Sequence, residues 1–394
     1  MKEIETDINI IGGGLIGLAT AYSMSRLGFK ITILEKKTSY FLKKNVIDHR
    51  TIAISEGTKK FLSTIGVWNN IEPFAQPIKQ IKVIDREMSN LLEFDNRRRK
   101  SNLGYIVKNK DILNIFYKKL KETKDVKIFN NCKIIDIQNN KESTKVLTKT
   151  LKVSTELNIA ADGKNSFVKK ILKTPTFDKN YLKKAFVVIF NHTENHNSTA
   201  FEFFYKDGPL AILPMKKINN NFASSIVWTN NNAYSDNLID MDIKKLRSIL
   251  KQKTQSCLGS ITNIFSKQLF PLSAHLNTKF FENRTIYIGD AAHSFHPIAG
   301  QGWNLGMKDV ENLFNLVNKF NSLGIEPGSK FFCKQYHIDN YYNAYRLYQI
   351  TDKLDTVFKI QNPIFNLGRK TGIYYIQNNK KIKNIIGDFA MGIN

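Results

Sequence analysis

Residues 7–17 read Asp-Ile-Asn-Ile-Ile-Gly-Gly-Gly-Leu-Ile-Gly, and no other stretch of the chain restricts the backbone as much. An apolar strand runs into Gly12-Gly13-Gly14, Gly17 opens a helix-like segment reaching about Leu27, and a second strand over 30–34 ends in Glu35. Strand, glycine turn, helix and strand in this order bind dinucleotides. Gly12 makes the tight turn, Gly14 lets the backbone reach a pyrophosphate, and Gly17 permits close packing of helix on strand. Glu35 falls where a carboxylate accepts hydrogen bonds from an adenosine ribose. The unit alone does not choose between NAD and FAD. Residues 8–25 carry no charge and match a membrane span in length, but the glycines, Asn9 and the strand-like start argue against one. The opening Met-Lys-Glu-Ile-Glu-Thr-Asp is not a signal peptide, so the chain is expected to stay in the cytoplasm.

Two later segments repeat the theme. Over 285–309 a short apolar strand ends at Gly289-Asp290. Small residues, Pro297 and three glycines (Gly300, Gly302, Gly306) then lead into a helical pattern from about Trp303. Glycine brings bare backbone against a ligand, and the N–H groups of the following helix point at the same place, which suits an anion or an electron-rich ring. Residues 157–169, Leu-Asn-Ile-Ala-Ala-Asp-Gly-Lys-Asn-Ser-Phe-Val-Lys, again join a strand end, Asp162-Gly163 and a helix start.

With these three elements in this order, the chain resembles the flavin-dependent aromatic hydroxylases typified by para-hydroxybenzoate hydroxylase. Within them it is most similar to the hydroxylases of ubiquinone biosynthesis. Gly289-Asp-Ala-Ala-His293, His296-Pro-Ile-Ala-Gly-Gln-Gly302, Asn304-Leu-Gly306 and Asp309 carry the resemblance. So do Asp48-His-Arg50 with Ala53-Ile-Ser55, residues 103–107, 208–214 and 225–228, and the closing Ala390-Met-Gly392.

The resemblance implies a Rossmann-like α/β FAD-binding domain with an inserted β-sheet substrate domain and a helical C-terminal tail. It further implies non-covalent FAD, reduction by NADPH or NADH, and reaction with O2 through a flavin C4a-hydroperoxide that hydroxylates a polyprenylated phenol. Asp290 would accept from ribitol hydroxyls, the N–H groups around Gly302–Leu305 would face the flavin pyrimidine, and Arg50 would support the flavin or its phosphates. Asp162 and Gly163 would touch both FAD and the nicotinamide cofactor, and Lys110 stands where the family tends to have Arg. The cofactor set is thus Gly12, Gly14, Gly17, Glu35, Arg50, Lys110, Asp162, Gly163, Gly289, Asp290, Pro297, Gly300, Gly302, Asn304 and Leu305.

There are departures from the family pattern. Lys169 and Lys308 replace common arginines, keeping charge but losing the planar fork, and Trp303 replaces a smaller residue. His293 and His296 read as hydrogen bonders beside the flavin loop rather than acid–base groups. Trp228 and Phe204 are candidates for a ring pocket, though aromatic residues in strands are usually core. No phenol-activating base can be picked out. Three other readings stay open: an isoprenoid-lipid reductase or saturase, a hydroxylase of another aromatic substrate, and a non-catalytic basic binding protein that retains a flavin fold.

Composition fits a globular two-domain chain: 394 residues with 42% hydrophobic content. Cys132, Cys257 and Cys333 have no paired spacing, so neither a disulfide frame nor a metal site is expected. The net charge of +25 is the outlier, with basic runs at 97–100 and 380–383. No nucleic-acid motif accompanies it. It reads either as a lysine-rich solvated surface or as contact with an anionic membrane face or a ubiquinone-biosynthesis complex. Residues 373–386 fit an interfacial helix or an ordinary packing helix equally.

Residues 1–75, 100–175 and 268–345 are expected to assemble the FAD domain. Residues 76–99 and 176–267 would form the substrate sheet, and 346–394 the helical tail.

Overall fold

The computed structural model describes residues 1–37, 50–85, 90–95, 101–254, 257–295, 301–359 and 363–392. Pro297 and Gly300, with His296, Asp48 and the basic run at 97–100, lie outside them.

The first sheet is built on parallel strands in the order Thr285–Tyr287, Leu151–Ala160, Lys2–Ile11, Ile31–Leu34 and Val126–Phe129. Ile8–Ile11 and Ile31–Leu34 are buried at every position, the pattern of a parallel sheet covered on both faces. Three strands are pinned by a side-chain ladder. Asn9 Nδ2 donates to Asn158 Oδ1 at 2.8 Å, and Asn158 Nδ2 donates to Thr285 Oγ1 at 3.2 Å. Helix Leu15–Ser25 packs against helices Asn109–Lys121 and Gln301–Ser322. In Asn109–Lys121 the buried Ile112, Leu113, Phe116 and Leu120 form one face, with Asp111 in the first turn and lysines in the last to match the helix dipole.

The second sheet runs Asn90–Asp95, Gln80–Asp85, Thr199–Tyr205, Gly208–Ile218, Asn221–Asn231, Thr176–His192, Ile261–Asn277, His293–Ser294. One of its faces (Phe186, Val188, Phe190, Phe203, Trp228) is closed by Leu238, Leu246 and Leu250 of helices Asn232–Asp240 and Ile243–Lys253. A third, small sheet of Thr51–Ser55, Gly104–Lys108 and Gln76–Ile78 lies in the segment between them.

Two sequence boundaries move. Strand Ile261–Asn277 runs unbroken through the 267/268 limit, because its backbone pairs with Thr176–His192 along nearly its whole length. Gln76–Ile78 belongs to the small sheet, not the second one.

The tail is helical: Lys330–Lys359, Pro363–Asn378 and Lys380–Ala390. Its end is anchored where Gly57 N–H donates to Met391 O at 2.9 Å and Met391 is buried beside Ile78, Leu103 and Ile189. No helix among the described residues is long and apolar enough to cross a membrane.

Asn158→Leu should cost roughly 1–3 kcal/mol by stripping Asn9 and Thr285 of a buried partner. A lower urea midpoint at unchanged m-value reads this out. Adding Asn9→Leu should cost less than the sum of the two single changes, since both act on one ladder.

Candidate functional site

The parallel strands deliver their carboxyl ends to one place. Gly12, Glu35, Asn130, Asp162 and Asp290 each lie just beyond such an end, and all line one cavity of about 1790 Å³. Ligands bind at this edge of open α/β sheets. The volume exceeds the roughly 300–1,000 Å³ of an ordinary small-molecule pocket.

The glycine turn is sterically forced. Gly12 has φ +115°, and a Cβ there would sit 2.3 Å from Ala161 O. A Cβ at Gly17 would sit 2.0 Å from Gly12 O, so the helix start is pressed onto the turn. At Gly14, by contrast, a Cβ would meet nothing within 4 Å. Its space opens into the cavity, and Gly302 on the facing helix is equally open.

Glu35 also has partners within the protein. Its carboxylate accepts from Gly13 N–H at 2.6 Å and Lys37 N–H at 2.8 Å, so it first of all braces the glycine turn. It still borders the cavity.

Asp162 Oδ2 accepts from Phe167 N–H at 2.7 Å and Val168 N–H at 3.2 Å, capping the short helix Phe167–Ile171. Its Oδ1 is buried with no partner among the described residues, and burial raises the carboxyl's pKa. Gly163 and Lys164 follow it along the wall, and Lys164 Nζ donates to Ser273 O at 2.8 Å.

Asp290 faces the cavity while protein crowds its other sides. Burial raises its pKa, and His293, Lys164 and Arg50 oppose that shift. A carboxylate flanked by cations and turned to a cavity is suited to hydroxyl donors.

Beneath it, His293 Nε2 and Asp309 Oδ2 are 2.7 Å apart, and Gly289 N–H donates to the same oxygen at 2.9 Å. His293 thereby holds the Gly289 turn, consistent with a hydrogen-bonding role. Gly289 does not line the cavity; it and Gly306 pack on Ile16, so Gly306 serves helix packing rather than a ligand.

Asn304 ties the helix Gln301–Ser322 to the small sheet. It accepts from Ser55 N–H at 2.9 Å and Thr58 Oγ1 at 3.0 Å, and donates to Ala53 O at 2.8 Å. Trp303 borders the cavity, and its indole N–H has no partner among the described residues.

Lys110 and Leu305 are not brought to the cavity. Lys110 is exposed on the helix, and it is Asn109 beside it that lines the wall and donates its N–H to Arg50 O at 2.8 Å. The Leu305 side chain packs into the main core. The two candidate ring-pocket aromatics part: Phe204 lines the cavity, whereas Trp228 is in the core on the opposite face of its sheet. Sequence reasoning missed Lys164, Ser55 and the far wall, where Ile373, Ile376, Ile386 and Met391 of the tail close the cavity. Alternation in the tail was the available signal, and it does not say which face turns inward.

Two nucleotide-binding motifs at strand ends, a third turn bearing Asp290 and an adjoining, mainly antiparallel mixed sheet define a flavoprotein monooxygenase fold. The chain belongs to the FAD binding domain family, whose model matches residues 5–323. It is thus a member of the FAD-dependent aromatic hydroxylases.

Among curated relatives, it is 26% identical to ubiquinone hydroxylase UbiL of Rhodospirillum rubrum, over 98% of this chain and 89% of that one. It is also 26% identical to 3-demethoxyubiquinol 3-hydroxylase of Escherichia coli, over 100% of both chains. Among solved structures, p-nitrophenol 4-monooxygenase PnpA from Pseudomonas putida superposes with TM-score 0.80 at 17% identity, covering 99% of this chain and 98% of that one. PqsL from Pseudomonas aeruginosa gives 0.76 at 15% identity, with 94% and 99% covered.

The residues fit FAD: an open glycine at a helix start, a buried Asp162 oxygen with no partner among the described residues, and Asp290 turned to the cavity. Asp290→Ala should weaken FAD binding by about 1.5–3 kcal/mol, the worth of a charge-assisted hydrogen bond. Gly14→Val should be harsher while leaving the fold intact, because its φ of −78° accepts any side chain and the added bulk enters only the cavity. Flavin-to-protein ratios and FAD titration of the apoprotein check both variants.

Proposed function

We propose that the protein hydroxylates the aromatic ring of a polyprenylated phenol in ubiquinone biosynthesis, using NAD(P)H and O2. One observation carries this reading. The cavity is polar at its glycine-lined end and then continues into a chamber walled mainly by aliphatic side chains, among them Ile81, Val187, Ala200, Leu213 and Val227 with Ile373 and Ile376 of the tail, and by the single carboxylate of Glu202. A ligand with one polar ring and a long hydrocarbon fits that gradient. The curated relatives that span the whole chain carry ubiquinone-hydroxylase names, which favours the same substrate class.

Bound FAD supplies the redox chemistry, taking electrons from the nicotinamide and activating oxygen. The chain's own residues bind, orient and exclude water. In this reading Gly12–Gly14 and the start of helix Leu15–Ser25 receive the pyrophosphate, and Asp290 accepts from the ribitol hydroxyls. Arg50 and Lys164 supply positive charge along the cofactor's length. Asn304 holds the start of helix Gln301–Ser322 against Ser55, so that its N-terminal N–H groups meet the electron-rich ring. The mainly aliphatic chamber keeps water from the reacting atoms.

Acid precipitation should release flavin into the supernatant as free FAD, because the binding set contains no covalent attachment. The purified protein should couple NAD(P)H oxidation to incorporation of one oxygen atom from labelled O2 into a prenylphenol. A reduced isoprenoid without incorporated oxygen would instead mark a reductase.

Reaching a tailed substrate calls for a membrane contact. The tail exposes Tyr374, Tyr375 and Ile385 beside its cavity-lining residues, and the chain carries a net charge of +25. Each suitably placed cation attracts anionic lipid by about 1 kcal/mol, and salt screens that attraction. Co-sedimentation with anionic vesicles, released by salt and absent with neutral vesicles, is the expected result.

A further inference from the structure

The face of the second sheet that borders the cavity is set by strand register. Val187 pairs with Val227, Val227 with Ala211, Ala211 with Glu202, Glu202 with Val83, and Val83 with Leu92. All six line the cavity, and five of them are small or aliphatic. Glu202 interrupts an otherwise apolar row with a carboxylate.

That carboxylate has no hydrogen bond or ion pair among the described residues. Its direct cross-strand neighbours are Val83 and Ala211. The charges on adjoining elements are engaged elsewhere. Lys82 pairs with Glu93 at 3.3 Å, Asp85 lies opposite Phe204 and is itself buried, and Lys267 donates to the Ile239 and Met241 carbonyls at 2.6 and 3.2 Å. Gln268, beside Val187, is the uncharged polar residue at the row's end. Burial alone raises the Glu202 pKa, to about 7. The surface it keeps faces the cavity, since protein surrounds it otherwise. An unpaired carboxylate in such a wall weakens folding unless a ligand completes it.

Resting on the phenol-hydroxylase reading, we propose that Glu202 is the acceptor for the substrate's phenolic O–H and the base that takes its proton. The O–H bond breaks, a bond from that hydrogen to a Glu202 carboxylate oxygen forms, and the electron pair stays on the phenolic oxygen. The negative charge makes the ring a better nucleophile toward the oxygen that O2 and NAD(P)H supply. One oxygen atom of O2 bonds to the ring carbon and the other leaves as hydroxide. The hydrogen on that carbon departs as a proton to the hydroxide, giving water, its electron pair restores the aromatic ring, and Glu202 returns its own proton to the phenolic oxygen. A base that titrates near the working pH is suited to both transfers. The remaining row of Val, Ala and Leu leaves the hydrocarbon part of the ligand nothing polar to satisfy.

In the ligand-free protein the same group has a defined linkage. The folded carboxyl ionises near 7 and an unfolded one near 4.5, so stability declines as pH rises through that window. Glu202→Gln and Glu202→Leu should both abolish this slope.

The deciding experiment uses the FAD-loaded full chain, with 2-farnesylphenol and its methyl ether as probes. Binding is read from the flavin difference spectrum without turnover, and hydroxylation is followed across pH. The wild-type protein should prefer the phenol to the ether by about tenfold or more above pH 7. Its hydroxylation rate should rise with pH through a midpoint near 7. Glu202→Gln should retain FAD and ether affinity, lose most of the preference, turn over about a hundredfold slower and lack that limb. Unchanged preference and pH profile in Glu202→Gln overturn the assignment while leaving the hydroxylase reading intact. Loss of FAD from both Glu202→Gln and Glu202→Leu also overturns it, by giving the residue a structural role. If FAD-loaded wild-type protein neither binds nor oxygenates the phenol, the substrate reading fails and this inference with it.

Discussion

A methyl group on Gly12 would stand 2.3 Å from the Ala161 carbonyl oxygen, and one on Gly17 would stand 2.0 Å from the Gly12 oxygen. These two approaches press the first strand's end, the mid-chain strand's end and the first helix into one another. The Asn9–Asn158–Thr285 ladder sits three residues below and carries the same register to a third strand. Once the ends are level, the residues after them have one direction left. Glu35, Asp162 and Asp290 come to a common edge although 255 positions separate the outer two in the 394-residue chain. The polar end of the cavity is therefore a by-product of backbone packing, and no long-range salt bridge is needed to gather it.

What the sequence revealed follows from this. Local units that must be glycine, such as Gly12 and Gly17, announce themselves because no other residue fits, and their order names the fold. Roles that depend on a side chain's competing partners are less legible. Glu35 stands where a ribose acceptor belongs, yet two backbone N–H groups reach it, one from Lys37 in its own turn and one from Gly13 in the glycine turn. Lys110 and Asn109 differ by one residue, a turn of about 100° on a helix, and that decides which of them meets the cavity. Phe204 and Trp228 have the same β-propensity, and only the sheet's pairing shows that they face opposite ways. Glu202 was illegible for a stronger reason. Its meaning lies in five cross-strand pairings, and no window of sequence contains them.

The two sheets solve opposite electrostatic problems. At the parallel edge, backbone donors, Arg50 and Lys164 meet the carboxylates of Glu35, Asp162 and Asp290, and a ligand carrying both anionic groups and hydroxyls is the natural complement. Along the mixed sheet that forms the other wall, strands contribute alternate residues, so one face can be filled with Phe186, Phe190 and Trp228 while the other stays shallow with Val187, Ala211 and Val227. Small side chains on a sheet otherwise packed with aromatics keep space open. Asn304 joins the two regimes, since it fixes the helix that begins at the cofactor edge to the small sheet beside the chamber.

The tail completes the enclosure and is itself two-faced. Ile373, Ile376 and Ile386 turn inward to the cavity, while Tyr374, Tyr375 and Ile385 are 71%, 58% and 66% exposed. A cover whose inner face is all that needs burying would place polar residues outside. Here apolar surface lies on both sides of a cover one helix thick, and the helix end is held at Met391 against Gly57. That construction costs solubility unless the outer face meets something apolar. On the proposed reading it does, because a substrate whose hydrocarbon chain is longer than the chamber must pass from a lipid phase to the sheet wall. The same helices would then line the route at its inner end and touch the lipid at its outer end. On that reading the basic surface would supply the attraction that holds them there, leaving the glycine-lined end of the cavity to the water-soluble cofactors.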